Sequence, residues 1–135
     1  ISDMIKTLYF MFFVCAFALG LIACNSKAKD NFKNLSADEF ERLIQDDDIQ
    51  VVDVRTVAEY SKGHLAGSIN INVLDDNFPE VADDLLEKDR PVAVYCRSGK
   101  RSRNATRILD KKGFKVYNMD KGFENWKELG KDIAY

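Results

Sequence analysis

Short apolar and β-rich runs, Ile49 to Val54, Val92 to Tyr95 and Val116 to Met119, alternate with stretches of helical spacing, and this alternation restricts the chain more than any other feature. The first is β-branched and apolar enough for a buried strand, and the second is apolar at every residue, as expected of strands covered on both faces. Between and around them lie helix signals. Ser36-Ala37-Asp38-Glu39 is a capping box followed by Phe40, Leu43 and Ile44 at helical spacing, and Thr56-Val57-Ala58-Glu59 is a second one before Gly63. Val81 to Glu87 reads as a helix ended by Pro91, a further helix runs from Ser102 to a stop at Gly113, and a last one covers Phe123 to Leu129. Ser68 to Val73 is a further β-rich stretch. Strands alternating with helices predict an α/β fold with a parallel sheet. Ligands in such sheets sit beyond the carboxyl ends of the strands. The run Val92 to Tyr95 delivers Cys96 to that end.

The length of 135 residues suits one hydrophobic core. A net charge of −2 gives no general attraction to nucleic acid, so positive charge matters only where it is concentrated. It is concentrated after Cys96, where Arg97, Lys100, Arg101 and Arg103 follow with no acid among them. Cations and a helix N-terminus both favour a thiolate over a thiol. Gly99 would let the loop curl so that backbone N–H groups point inward as an anion nest. A lone cysteine at a strand end is more often a small packed hydrophobe. A strand, a cysteine, a basic glycine-containing loop and a helix in direct succession instead predict a reactive thiolate. One histidine and one available cysteine cannot assemble a metal site, and no glycine-rich nucleotide motif is present, so neither a metal nor another cofactor is expected.

The start of the chain departs from the rest. Leu8 to Ala23 is uncharged and crowded with aromatic and aliphatic side chains, shorter than the roughly 20 residues of a comfortable spanning helix, and reads as a signal peptide with Lys6 as its basic region. Met4 is the expected start, with Ile1, Ser2 and Asp3 an upstream extension. Leu21-Ile22-Ala23-Cys24 resembles the lipobox of bacterial lipoproteins, which implies cleavage before Cys24 and lipid on its sulfur; Cys15 fits that pattern poorly. The expected organisation is a signal peptide over residues 1–23, a lipidated cysteine and polar tether over 24–34, and a folded domain over 35–135. Such a protein would sit on the bacterial cell envelope, lipid-anchored, at a periplasmic or other extracytoplasmic face. Cys96 would then be the single free thiol of the mature chain.

The segment from Leu35 to Leu129 resembles a single rhodanese domain. Four pieces carry the likeness in order: Val51-Val52-Asp53-Val54-Arg55; Glu59-Tyr60 with Gly63-His64-Leu65-Ala66-Gly67-Ser68-Ile69; Val94 through Ser102 around Cys96; and Gly122-Phe123 with Trp126. The last departs from the family's frequent glycine pair, with Lys121 in the first place. The resemblance implies a central, mostly parallel sheet flanked by helices on both faces, and a sulfurtransferase in which Cys96 takes a sulfur from an anionic donor such as thiosulfate and passes it to a thiol or cyanide. By position in the motif, Arg101 and Ser102 brace the loop, Arg97 and Lys100 meet substrate, and Ser98 and Gly99 complete the cradle. Asp53 and Arg55 are expected to be architectural, His64 to stabilise a turn, and Trp126 to pack in the core. Glu59, by its spacing, is expected to cap a helix.

Two other readings share a cysteine in an anion-binding loop. Rhodanese-like cysteine phosphatases use Cys-x5-Arg, commonly after histidine, whereas this chain has Cys-x4-Arg from Cys96 to Arg101 after Tyr95. The other is a non-enzymatic persulfide carrier or regulatory module.

Overall fold

The computed structural model describes residues 2–4 and 31–135. The hydrophobic leader, Cys15, Cys24 and most of the tether lie outside the described residues. The domain comprises β1 (Lys33–Leu35), α1 (Ala37–Leu43), β2 (Gln50–Asp53), α2 (Val57–Ser61), β3 (Ile69–Asn70), α3 (Phe78–Leu85), β4 (Val92–Tyr95), α4 (Lys100–Lys111), β5 (Val116–Met119) and α5 (Gly122–Glu128).

The five strands form one sheet in the order β1-β5-β4-β2-β3, every neighbouring pair parallel. Alternation along the strands assigns the two faces. Val52, Val54, Val92, Val94, Cys96 and Val116 pack with Phe78 and Ala82 of α3 and Ala105 and Leu109 of α4. Val51, Ala93, Tyr95 and Met119 face the other way, onto Ala37 and Phe40 of α1 and Phe123 and Trp126 of α5. Helices therefore cover both faces, which is why β2 and β4 are buried at every residue.

The connectivity creates the crevice. β2 leads to its neighbour β3 on one side, and β4 leads to its neighbour β5 on the other. Loops leaving the carboxyl ends of adjacent strands in opposite directions open a cleft between them, the switch point of an open α/β sheet.

Local chemistry sets the helix ends. Ser36 accepts from the Glu39 amide at 3.2 Å while the Glu39 carboxylate accepts from the Ser36 amide at 3.1 Å, the reciprocal box read from the sequence. Other boundaries differ from expectation. α3 begins at Phe78 rather than Val81 because Pro79 lies in its first turn, where no amide partner is lost. α4 begins at Lys100 rather than Ser102, since Gly99 turns left-handed, with φ 101°, and starts the helix directly behind the loop. The stretch from Ser68 to Val73 supplies only two residues of regular strand, although Ile71 and Val73 still donate to Asp53 and Val54 carbonyls at 2.9 and 3.1 Å. Lys33 and Asn34, placed in the polar tether, belong to β1 and pair with Tyr117 and Asn118.

Candidate functional site

Cys96 follows the last residue of β4 at the cleft. The residue is only 1% exposed, packed on one side against the α3 and α4 core. Its sulfur is not merely packed: Sγ accepts the Gly99 N–H at an N···S distance of 3.1 Å. The backbone on either side is clamped by α5, with Phe123 N–H donating to Cys96 O at 2.8 Å and Glu124 N–H to Arg97 O at 3.0 Å. Two glycines make that contact possible. A Cβ on Gly99 would lie 2.0 Å from Asp120 O, and one on Gly122 would lie 2.5 Å from Arg97 O, so no side chain fits at either position.

Tyr95, one residue earlier, lies on the opposite face between Phe40 and Phe123. Its hydroxyl accepts the Leu65 N–H at 3.0 Å, and burial pushes the phenol well above its ordinary ionisation range. It is a structural anchor at the strand end.

The loop is braced from behind. Ser102 is fully buried and its hydroxyl donates to Gly99 O at 3.1 Å, while Arg103 Nε donates to the same carbonyl at 3.2 Å. Arg101 reaches away from the sulfur and grips Glu59 with both fork nitrogens, at 2.8 and 2.9 Å. The Arg101 hydrogen bonds are the main reason the Glu59 carboxyl is lowered to about 2, with help from Thr56 against the opposing effect of burial. Glu59 does sit at the capped start of α2, its amide donating to Thr56 Oγ1 at 3.2 Å. The capping reading is incomplete, because its carboxylate ties α2 to the cysteine loop 42 residues away.

Asp53 and Arg55 form a closed unit at the end of β2. Arg55 Nε lies 3.0 and 3.1 Å from the two Asp53 oxygens, Nη2 lies 2.7 Å from Oδ2, and the same nitrogen donates to Gly63 O at 2.7 Å. Both residues are buried, and the guanidinium lies 4.2 Å from the Phe123 ring centroid. His64 donates from Nδ1 to Tyr60 O at 2.8 Å and stacks on the Tyr60 ring at 3.8 Å. Its backbone exchanges two hydrogen bonds with Ala134, pinning the segment beyond α5. Trp126 is buried, with Nε1 donating to Asp132 O at 2.8 Å.

The structure thus gathers Cys96, Gly99, Arg101, Ser102 and Glu59 into one bonded unit, with Asp53 and Arg55 immediately behind. Ser98 and Lys100 are exposed on the loop surface. Arg97 also faces solvent, but its Nε lies 3.6 Å from Glu124 Oε1, which Lys127 approaches to 3.4 Å. A groove of about 330 Å³ opens beside the loop, lined by Arg55, Glu59, Arg97, Phe123, Glu124 and Lys127 among others. Sequence reading did not find Glu124 and Lys127. They lie on α5 with the ordinary spacing of a solvated helix face, and only the clamp of α5 onto the loop brings them to Arg97.

The sulfur receives an N–H just ahead of a twelve-residue helix, in a loop that also carries cations. The rhodanese-like domain model matches residues 36–129. The thiosulfate sulfurtransferase GlpE of Shewanella oneidensis is 33% identical over 99 residues, covering 73% of this chain and 95% of that protein. A tRNA uridine(34) hydroxylase of Pelagibacter ubique is 35% identical over 107 residues, covering 78% of this chain but 35% of that protein. Among solved structures, a rhodanese-related protein from Thermoplasma volcanium superposes with a TM-score of 0.68 at 29% identity, covering 76% of this chain and 97% of that one. With the cysteine loop, the parallel sheet and these relatives in agreement, the chain belongs to the rhodanese-like domain family.

Proposed function

We propose that this domain is a sulfurtransferase in which Cys96 carries the transferred sulfur. The observation that carries the reading is the Gly99 N–H directed at Cys96 Sγ inside the glycine-locked loop. The Cys96 thiolate attacks the outer sulfur of an anionic donor such as thiosulfate. The new Sγ–S bond forms as the donor's S–S bond breaks, and the electron pair leaves with sulfite. A thiol or cyanide acceptor then takes the outer sulfur, and the electrons of the broken bond return to Sγ. Loop amides and cations stabilise the charge on both sulfurs without moving. Removal of the thiol by Cys96→Ser is expected to lower thiosulfate:acceptor turnover by at least about 10³-fold, the scale of losing a covalent nucleophile, while the thermal melt stays near wild type. Intact-mass measurement after thiosulfate treatment should show one added sulfur on the wild type and none on the variant. Turnover of p-nitrophenyl phosphate above that of thiosulfate would instead support a phosphatase, and a stable added sulfur with no release to any acceptor would support a carrier.

The placement of Arg101 favours sulfur over phosphate. Its guanidinium is engaged at both ends by Glu59 and is not free to surround a phosphoryl group. Arg97 and Lys100 are proposed to meet the donor, and their joint replacement by alanine should raise the thiosulfate KM.

We also propose that residues 1–23 direct export and that Cys24 receives the lipid, placing the domain at an extracytoplasmic membrane surface. Palmitate labelling of the full chain in a bacterial host, lost in Cys24→Ala, is the expected result. Equal labelling of the two would overturn it.

A further inference from the structure

We propose that the groove beside the cysteine loop is an acceptor subsite, and that it takes an organic thiol bearing a carboxylate in preference to cyanide or a neutral thiol. This rests on the sulfurtransferase reading above. The groove's volume of about 330 Å³ lies at the lower end of small-molecule pockets, which span roughly 300–1,000 Å³, and is far larger than a diatomic anion needs. Its lining is mixed. Ile133 and Tyr135 offer apolar surface for a carbon skeleton, Lys62, Arg97 and Lys127 offer cations, and of its two carboxylates Glu59 is held by Arg101. The groove lies beside the cysteine loop, because Arg97, the residue after Cys96, lines it and the Phe123 amide holds the Cys96 carbonyl.

Glu124 shows what the cations select. Its carboxylate oxygen Oε1 sits between Arg97 Nε at 3.6 Å and Lys127 Nζ at 3.4 Å, and all three side chains are substantially exposed. The protein's own carboxylate therefore occupies a two-cation position at the rim. An exposed pair of this kind is worth little and is readily exchanged. A ligand carboxylate arriving at the same rim competes with Glu124 for Arg97 and Lys127, with Lys62 a further cation of the lining. Its thiolate then attacks the outer sulfur of the Cys96 persulfide. The ligand S–S bond forms, the Sγ–S bond breaks, and the electron pair returns to Cys96.

The test loads Cys96 with thiosulfate, removes the donor, and follows sulfur transfer to mercaptosuccinate, 2-mercaptoethanol and cyanide at matched thiolate concentrations. Half-saturation for mercaptosuccinate is expected about threefold below that for 2-mercaptoethanol, the scale of exposed ion pairs. The preference should shrink as salt is raised, since the rim is exposed. Lys62→Ala with Lys127→Ala should remove most of it, and Glu124→Gln, which frees both cations, should enlarge it. Equal half-saturation for the two thiols, or a double variant that keeps the wild-type preference, overturns the groove assignment. A protein that never gains sulfur from thiosulfate overturns the sulfurtransferase reading itself, so the two failures are distinguishable.

Discussion

β2 and β4 are neighbours in register, with Asp53 opposite Tyr95, yet the two strand ends are finished in opposite ways. At the end of β2 every charge is answered locally. Asp53 and Arg55 close on each other, and the spare nitrogen hydrogen of Arg55 goes to Gly63. At the end of β4 the chain turns through Gly99 so that an amide points at a sulfur, and two loop cations remain at the surface. One end is self-satisfied; the other carries the amide and the surface cations on which the proposed anion binding rests. The cleft is built by setting the two side by side, with Arg101 and Glu59 stitching the loop of the second to the helix that follows the first.

The largest effect should come from breaking the closed end. Asp53→Ala leaves the Arg55 guanidinium buried without its partner, and removal of one member of a buried ion pair is strongly destabilising, by about 3–5 kcal/mol. Urea unfolding should show a midpoint shift of that size. A loss under about 1 kcal/mol, the range of an exposed pair, would mean that Gly63 O and the Phe123 ring suffice for Arg55 and that the contrast between the strand ends is overstated.

A comparable disturbance of the open end should act on activity first. Gly99→Ala places a methyl against Asp120 O and asks for a left-handed backbone that alanine avoids. The loop must move away from the β5–α5 turn, carrying its amide off the sulfur. Misplacement by about 1 Å is worth on the order of 10²-fold in rate, read as thiosulfate turnover. Alanine at Gly113, also of positive φ but with open space around it, is the control, since it adds strain without touching the loop.

Much of this contrast was legible in the residues. β4 announces itself as an apolar run and β2 as a β-branched one because both faces are covered, and the Cys96 loop stands out because four cations fall between Arg97 and Arg103 with no acid among them. β1 was missed for the converse reason: Lys33 and Asn34 lie exposed on an edge strand, so nothing in their polarity marks them as paired with β5. Glu59 carries two jobs that one spacing cannot separate. Its place three residues after Thr56 signals the cap, and its grip on Arg101 arises only once β2 and β4 lie side by side. The groove was invisible for a related reason, being assembled from α5, the β4 loop and the segment near Tyr135.

The smallest expected effect tests the stitch between the two strand ends. In the folded protein the Glu59 carboxyl titrates at about 2, below its ordinary 4.5, because Arg101 holds its ionised form. The folded state therefore binds that proton more weakly than the unfolded chain does. The pair's stabilisation is fully present above about pH 4.5 and is lost as pH falls toward 2. Glu59→Gln lacks the titration, so the difference in urea midpoint between wild type and variant should be greatest near neutrality and close in acid. Asp38, Glu39 and Asp83 are also held low, but they are common to both proteins and cancel in the difference. Both partners are partly exposed, so the gap at neutral pH should be about 1 kcal/mol or less. A gap that stays constant from pH 7 to pH 3 would show that Glu59 acts through its cap rather than its charge, and would return it to the role its sequence spacing suggests.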